Sequence, residues 1–329
     1  MKNLIFLLLS LLYGALAVFA QKDPAWDNTK DKHWGNEFVH VQIPSTTDGA
    51  LQNAWFYRSS KATSQPLIIS LHSWSGDYKQ EDPLTEEILQ KDWNYIHPDF
   101  RGANNNPDAC GSPLVISDVL DAIHFAIKNA RVDTTNVHII GVSGGGYLTL
   151  LAYMQLDYPV MSFNAWAPIS DLQSWYWESK GRHNKYASDI EKVAKKDGVI
   201  NWDELKSRSP MYLKVPYARR KNAVLNIYEG VHDGYTGSVP ISHSILFYNK
   251  IAKALYPTNK NAVVPDSIWM SILIKQCNPG ADSSLRIGDR MVHLQKKLPN
   301  VSLTLFEGGH EMIVPRALGL IPVNEVKYR

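Results

Sequence analysis

Hydrophobic residues in this chain occur in short runs that are separated by longer amphipathic stretches. Residues 38–43 alternate apolar and polar side chains, and an aromatic run at 54–57 follows a turn-rich segment. Together these two runs predict an antiparallel pair of strands. From residue 66 onward the runs are continuously apolar, as strands that are buried on both faces require. These later runs are residues 66–71, 94–96, 137–140, 162–166, 224–228 and 301–306.

The clearest helical pattern lies between residues 114 and 129. Ser112 is a favourable N-cap, and Pro113 suits the first helical position. Apolar residues then recur on one helical face at Ile116, Val119, Leu120, Ile123 and Ile127. Strands and helices alternate in this way from residue 66 to residue 310. The pattern predicts an α/β fold with a mostly parallel, twisted sheet of about eight strands flanked by helices.

Two connecting stretches, residues 171–215 and residues 257–290, are longer than a crossover helix requires. Segments of this size within a compact domain commonly form lids or caps. We therefore expect one catalytic domain over residues 21–329, with a helical cap insert at about 171–215. The cap should lie above the ligand-binding edge of the sheet.

Composition narrows the possible functions. Hydrophobic residues make up 44% of the chain and charged residues 20%, which is ordinary for a globular protein. The net charge is +2 and no basic stripe stands out, so we expect no nucleic-acid partner. Cys110 and Cys277 have no zinc-ligand spacing, and neither a metal nor another cofactor is implied. The ten tryptophans indicate either large rigid binding surfaces or a Trp-rich core.

The first twenty residues have the pattern of a secretory signal peptide. Lys2 gives a short positive region, residues 4–20 are apolar, and residues 18–20 suit a cleavage site. A membrane anchor is the alternative, but the run is short for a span and ends directly in polar residues. We expect a secreted or periplasmic protein that starts near Gln21 and has no membrane partner after cleavage.

Export would permit a disulfide between the two cysteines. Cys110 follows the fourth predicted strand, and Cys277 lies in the stretch 257–290. Both should therefore lie above the carboxyl edge of the sheet. We predict that they pair and clamp the insert to the core, the alternative being two unrelated buried cysteines.

Residues 141–145 match the nucleophile-elbow pattern G-x-S-x-G, with Ser143 at its centre. The pattern follows the predicted strand 137–140 and opens a helical run, which is the strand–turn–helix context that this chemistry requires. Glycines permit the tight turn and the close packing of helix against strand. A Gly-rich phosphate-binding turn is the alternative, but G-x-G-x-x-G and a P-loop lysine are both missing. We predict that Ser143 is a nucleophile.

A serine hydroxyl needs a base and an orienting acid. In this fold class the chain order is serine, acid, histidine. Of the histidines after Ser143, only His310 follows the terminal predicted strand in a glycine-containing turn, so it is the expected base. Asp233 follows the preceding strand and is the first choice of acid. Asp171 is the runner-up, with a helix N-cap as its alternative role.

Two backbone N–H groups should form an oxyanion hole. One is expected from Gly144, directly after the nucleophile. The other should come from the turn after residues 66–71, where Trp74 is the first choice and Ser73 is also possible. His72 is placed among the substrate-contacting residues, although its ring is expected to brace this turn rather than to ionise.

Residues 72–74 and 141–145, then Asp233 and His310, resemble in their order the α/β-hydrolase superfamily. Within it the chain is most similar to the prolyl-oligopeptidase-like (peptidase S9-like) branch. Further segments carry this resemblance: residues 99–102, which match a D-x-R-G turn, Ser209-Pro210, and Val239-Pro240 with Ser242. The resemblance implies an α/β-hydrolase fold and a serine hydrolase with a Ser-His-Asp triad.

Two departures from prolyl oligopeptidases favour ester chemistry. Their propeller domain has no counterpart in the residues before Pro66, and no tyrosine stands at 72–74 in place of their oxyanion tyrosine. We therefore expect an exported serine esterase, similar to the bacterial carbohydrate esterases of this branch. A peptidase with the same triad and a glycan-binding pseudoenzyme are the two alternatives.

The expected substrate is an esterified polysaccharide or oligosaccharide. Aromatic faces stack on sugar rings, and a guanidinium can bind a uronate carboxylate. We expect Trp166, Trp175, Trp177 and Arg182 to present these groups above Ser143. The alternative is that Trp175 and Tyr176 only pack the cap onto the core.

Overall fold

The computed structural model describes residues 34–324, and the expected signal peptide lies outside the described residues. Ten strands form one sheet in the order β1-β2-β4-β3-β5-β6-β9-β12-β11-β10, and β7 and β8 form a separate hairpin. The strands are β1 (Val39–Pro44), β2 (Leu51–Tyr57), β3 (Gln65–Leu71), β4 (Asn94–Pro98), β5 (Val132–Val142), β6 (Ser162–Trp166), β7 (Lys195–Lys196), β8 (Val199–Ile200), β9 (Val224–Gly230), β10 (Arg286–Ile287), β11 (Arg290–Lys297) and β12 (Val301–Phe306).

The predicted α/β-hydrolase fold is confirmed. Six central strands, from β4 to β12 in the sheet order, are parallel, and antiparallel pairs flank them at both edges. All eight predicted segments are strands of this sheet. It has ten strands rather than about eight because β10 and β11 extend the edge beyond β12. Their mixed polar sequence did not give the apolar run that marks the central strands.

Helices pack on both faces of the sheet. The adjacent residues Ile68 and Ile69 of β3 belong to different hydrophobic clusters, because successive strand side chains point to opposite faces. The helices are α1 (Thr85–Lys91), α2 (Pro113–Asn129), α3 (Gly144–Gln155), α4 (Leu172–Gly181), α5 (Tyr186–Ala194), α6 (Trp202–Ser207), α7 (Ser242–Leu255), α8 (Asp266–Lys275) and α9 (Val314–Ala317). The larger cluster includes residues of α2, α3, α4 and α7, whereas α1 and α9 contribute to the other.

The segment 171–215 contains three helices, α4 to α6, together with the β7–β8 hairpin and a 3₁₀ turn at Pro210–Tyr212. Asp171 caps α4 by accepting hydrogen bonds from the Gln173 and Ser174 amides. The helices pack against one another and contribute Leu172, Ile190 and Leu205 to the larger cluster. Within residues 34–324, no helix is long and apolar enough to cross a membrane.

The predicted disulfide is wrong, because Cys110 and Cys277 are both free. Cys110 is fully buried near α3, where burial raises the pKa of its thiol to about 12. Cys277 follows α8, and the next residue, Asn278, is hydrogen-bonded to His293 of β11. In the sheet, β6, β9 and β12 separate β11 from β5, the strand that leads into α3. The two thiols are therefore anchored to different parts of the sheet.

Candidate active site

The predicted triad residues and the predicted oxyanion turn come together at one edge of the sheet. Ser143 follows β5, Asp233 follows β9, His310 follows β12, and Trp74 follows β3. These four strands lie in the parallel part of the sheet. Because the carboxyl ends of parallel strands meet at one edge, residues from distant parts of the chain become neighbours there.

Ser143 is held in a strained turn between β5 and α3. Its φ of 57° and ψ of −118° lie outside the common regions for a residue with a side chain. Glycines make the turn possible: a methyl group on Gly145 would lie 2.1 Å from the Leu71 carbonyl oxygen. The Ser143 amide also donates to the Trp166 carbonyl at 2.9 Å. The turn therefore fixes the Ser143 side chain at the start of α3.

Three side chains form a continuous hydrogen-bonded relay. Ser143 Oγ lies 2.9 Å from His310 Nε2, and His310 Nδ1 lies 2.5 Å from Asp233 Oδ2. In the tautomer that suits both contacts, the Ser143 hydroxyl donates to Nε2 and the Nδ1–H donates to Asp233. Asp233 is fully buried, and its Oδ1 accepts from the Gly234 and Val239 amides at 2.8 and 3.0 Å.

The runner-up acid, Asp171, has a different environment. Besides capping α4, it accepts a hydrogen bond from the Tyr212 hydroxyl at 2.9 Å. The carboxylate that contacts His310 is that of Asp233. The geometry therefore assigns Asp171 to the helix N-cap and brings Asp233 into the relay.

The turn after β3 presents a backbone amide to the start of α3. A methyl group on Gly144 would lie 2.3 Å from the Trp74 amide nitrogen, so the two backbones are in close contact. The Ser73 amide already donates to Gln80 Oε1 at 2.8 Å. In the part of the chain that the structure describes, the Trp74 amide makes no hydrogen bond. Trp74 rather than Ser73 therefore has the N–H that is free for an oxyanion, and Gly144 has an unused first-turn N–H.

The predicted substrate contacts of His72 and Trp166 are wrong. His72 is buried, and its ring nitrogens lie 2.9 and 2.7 Å from the Ser73 and Asp99 carbonyl oxygens. Its ring also stacks on Phe100 at 3.8 Å, so it braces the turn, as the alternative role assumed. Trp166 is fully buried within the sheet and stacks on Tyr228 at 4.1 Å, so no substrate can reach it.

Trp175 is also not a substrate-contacting residue, because it is fully buried. Its indole packs edge-on against Trp74 at 4.6 Å, and its Nε1–H donates to the Ser238 carbonyl at 2.8 Å. It therefore fixes α4 against both the oxyanion turn and the loop after Asp233. Trp177, two residues further on, is 53% exposed and stacks on Trp202 at 5.6 Å.

Arg182 lies next to the relay. Its Nη1 donates to the Ser238 carbonyl at 3.3 Å, and Ser238 Oγ lies 3.4 Å from His310 Nε2. Ser238 is not among the residues that the sequence motifs single out. The available signal was its position, because it lies on the loop after the acid, five residues beyond Asp233. Only the fold shows that this loop reaches His310.

Gly237 should be essential for the relay because it packs between two of its members. A methyl group there would lie 2.3 Å from Asp233 Oδ1 and 2.4 Å from His310 Cβ. We expect Gly237→Ala to lower kcat by ~10²-fold, since displacements of about 1 Å at an active site have effects of this size. Ester hydrolysis rates and thermal melting of the variant test this expectation. Gly181→Ala is the matched control, because a methyl group on Gly181 meets no atom within 4 Å; equal rates for both variants would contradict the steric argument.

Fold and site together define a serine hydrolase of α/β-hydrolase fold. A family model described as BD-FAE matches residues 56–251, which is more than half of the chain. The chain therefore belongs to the BD-FAE family. A search of curated proteins found no match.

Solved structures of S9-like peptidases share the fold. Acylaminoacyl peptidase from Pyrococcus horikoshii is 18% identical, with a TM-score of 0.53 over 67% of this chain and 35% of that chain. Prolyl oligopeptidase B from Galerina marginata is 17% identical, with a TM-score of 0.52 over 73% of this chain and 35% of its own. The chain thus spans about a third of the length of these peptidases. The predicted resemblance to the S9-like branch is confirmed at the level of fold.

Proposed function

We propose that this protein is an exported esterase that removes acyl or methyl ester groups from glycans. The observation that carries the hydrolytic part is the Ser143–His310–Asp233 relay beside the backbone amide of Trp74. Membership of the BD-FAE family supports ester bonds over amide bonds as the target. The signal-like first twenty residues support export to the periplasm or the medium.

In the proposed mechanism His310 acts as a base and then as an acid in each half-reaction. Ser143 Oγ attacks the ester carbonyl carbon while His310 Nε2 takes its proton, and Asp233 stabilises the resulting imidazolium. The carbonyl oxygen becomes an oxyanion that accepts from the amides of Trp74 and Gly144. His310 then gives the proton to the leaving alkoxide, which departs as an alcohol. Water, deprotonated by His310, cleaves the acyl-enzyme and regenerates Ser143.

Arg182 supports a carboxylate-bearing glycan as the substrate class. It is exposed and, within residues 34–324, no carboxylate lies within ion-pair distance of it. One of its nitrogens is fixed on the Ser238 carbonyl, and its other donors remain available to a ligand. A guanidinium binds a carboxylate bidentately, so a uronate residue beside the scissile ester would suit this position. Trp177 of α4 is exposed, but it lies about 200° around the helix from Trp175, which packs on the oxyanion turn, so it does not face this position.

A substrate panel tests the proposed function directly. The purified protein is incubated with acetylated, methyl-esterified and feruloylated polysaccharides, with short acyl esters and with a proline anilide. We expect release of acid or alcohol from the esters and no cleavage of the anilide. Rapid anilide cleavage without ester hydrolysis would instead establish a peptidase. If an active-serine fluorophosphonate probe fails to label the folded protein, the glycan-binding pseudoenzyme is the correct alternative.

The role of Arg182 has its own test. We expect Arg182→Gln to raise KM for an esterified uronate oligosaccharide by ~10-fold or more, because a hydrogen bond to a charged group contributes about 1.5–3 kcal/mol. Hydrolysis of a neutral short acyl ester should not change. Lys185→Gln is the control, since Lys185 is an exposed cation nearby that is already paired with Asp189. An equal loss on the neutral and the acidic substrate would show that Arg182 only supports the fold.

A further inference from the structure

A second carboxyl group lies directly behind the proposed catalytic acid. Glu229 is the penultimate residue of β9, four residues before Asp233, and both side chains are fully buried. Burial and the neighbouring Asp233 raise the pKa of the Glu229 carboxyl well above its usual range. The mechanism described above does not use this group.

The two oxygens of Glu229 have different environments. Oε2 accepts a hydrogen bond from the Ser244 hydroxyl of α7 at 2.6 Å. Oε1 is fully buried and receives no hydrogen bond from any donor in the described part of the chain. Buried polar atoms are rarely left unpartnered. An oxygen that no donor reaches is satisfied if it carries the proton and donates.

The Asp233 carboxylate is the available acceptor for such a proton. The Glu229 and Asp233 side chains are within hydrogen-bonding reach of each other. The donors that Asp233 already receives are two backbone amides and the His310 ring, and within residues 34–324 neither carboxyl has a lysine or arginine partner. Two carboxylates cannot both remain ionised in such a buried site. Asp233 is the acceptor of this pair, because it already accepts from two backbone amides and the His310 ring, whereas Glu229 Oε1 receives no donor within residues 34–324.

We propose that Glu229 is a positioning residue that stays protonated and donates a hydrogen bond from Oε1 to the Asp233 carboxylate. The pair carries one proton and one negative charge. Glu229 then fixes the Asp233 carboxylate through a contact that is anchored on α7 by Ser244. It also withdraws negative charge from Asp233, and so sets how strongly Asp233 stabilises the His310 imidazolium. The proposal rests on the proposed function, since it assigns Asp233 to the triad.

Two substitutions at Glu229 distinguish this role from a structural one. In Glu229→Gln the amide can still donate to Asp233 and accept from Ser244, so activity should stay within about threefold of wild type. In Glu229→Met the donor is lost, Asp233 becomes a stronger partner for the imidazolium, and the acid limb of the pH profile should move upward. We expect a shift of at least ~0.5 pH unit and a loss of ~10-fold in rate at neutral pH.

The readout is the pH dependence of the rate at which a fluorophosphonate probe labels Ser143. This rate needs no knowledge of the natural substrate. A failure of wild type to be labelled would therefore contradict the proposed function, whereas normal wild-type labelling isolates the test of Glu229. Asn249→Leu is the control for stability, because it removes buried hydrogen bonds between α7 and Val264. It should lower Tm without moving the acid limb.

Two other outcomes would overturn the proposal. If Glu229 were ionised in the wild type, both variants would remove a negative charge near His310, and the acid limb would move downward in both. If Glu229 were only structural, the variants would lower Tm and leave the acid limb in place. Should Glu229→Met fail to fold, Glu229→Leu takes its place as the variant without a donor. Glu229→Gln separately tests the charge, because an acid limb that moves downward in this variant would show that Glu229 is ionised in the wild type.

Discussion

Ser143→Ala should lower kcat for ester hydrolysis by at least ~10³-fold and leave the fold intact. The substitution removes one oxygen, the atom that lies 2.9 Å from His310 Nε2. Alanine and serine have similar requirements at the positive φ of this turn, so the backbone should not change. Initial rates on a short acyl ester, measured beside thermal melting and circular dichroism, test both parts of the expectation.

Ser238→Ala is the matched control for this variant. Ser238 also carries a hydroxyl near His310 Nε2, at 3.4 Å, but it follows no strand-to-helix turn. We expect a loss of less than about tenfold for this variant, and fluorophosphonate should still label it. Near-normal turnover by Ser143→Ala, together with a large loss in Ser238→Ala, would show that Ser238 is the nucleophile instead.

The chain order of strands and helices could be predicted because each central strand is a continuous apolar run. The same order placed Ser143, Asp233 and His310 at one edge of the sheet, since each directly follows a strand that could be recognised. The geometry of the relay could therefore be anticipated before any side chain was located. The roles of Ser238 and Glu229 could not be predicted. The role of Ser238 depends on where a loop bends, and that of Glu229 depends on which buried atom lacks a partner.

Aromatic residues were harder to assign than the triad because composition does not give orientation. Trp175 and Trp177 are two residues apart on α4, which places them about 200° apart around the helix. One is buried against Trp74 and the other is exposed. The helix carries aromatic residues on several sides, so periodicity alone could not distinguish these two positions. The prediction that Trp166 contacts substrate was wrong for a related reason, because a central strand is covered on both faces.

Asp233→Asn should lower kcat by on the order of 10³–10⁴-fold, a loss typical of this substitution in a Ser-His-Asp triad. The structure explains why the amide would take the harmful orientation. Oδ1 of Asp233 accepts from two backbone amides, so in the variant the carbonyl oxygen must stay there and the NH₂ group must face His310 Nδ1. His310 then holds its proton on Nε2 and can no longer accept the proton of Ser143.

Asp171→Asn is the control for this last variant, because it changes the runner-up acid in the same way. Asparagine is as good an N-cap as aspartate, so α4 should keep its first turn and kcat should fall less than about twofold. Initial rates and Tm of both variants, measured on the same ester, give the ranking. A larger loss for Asp171→Asn than for Asp233→Asn would reassign the acid, and the resting hydrogen bond between Asp233 and His310 would then be structural only.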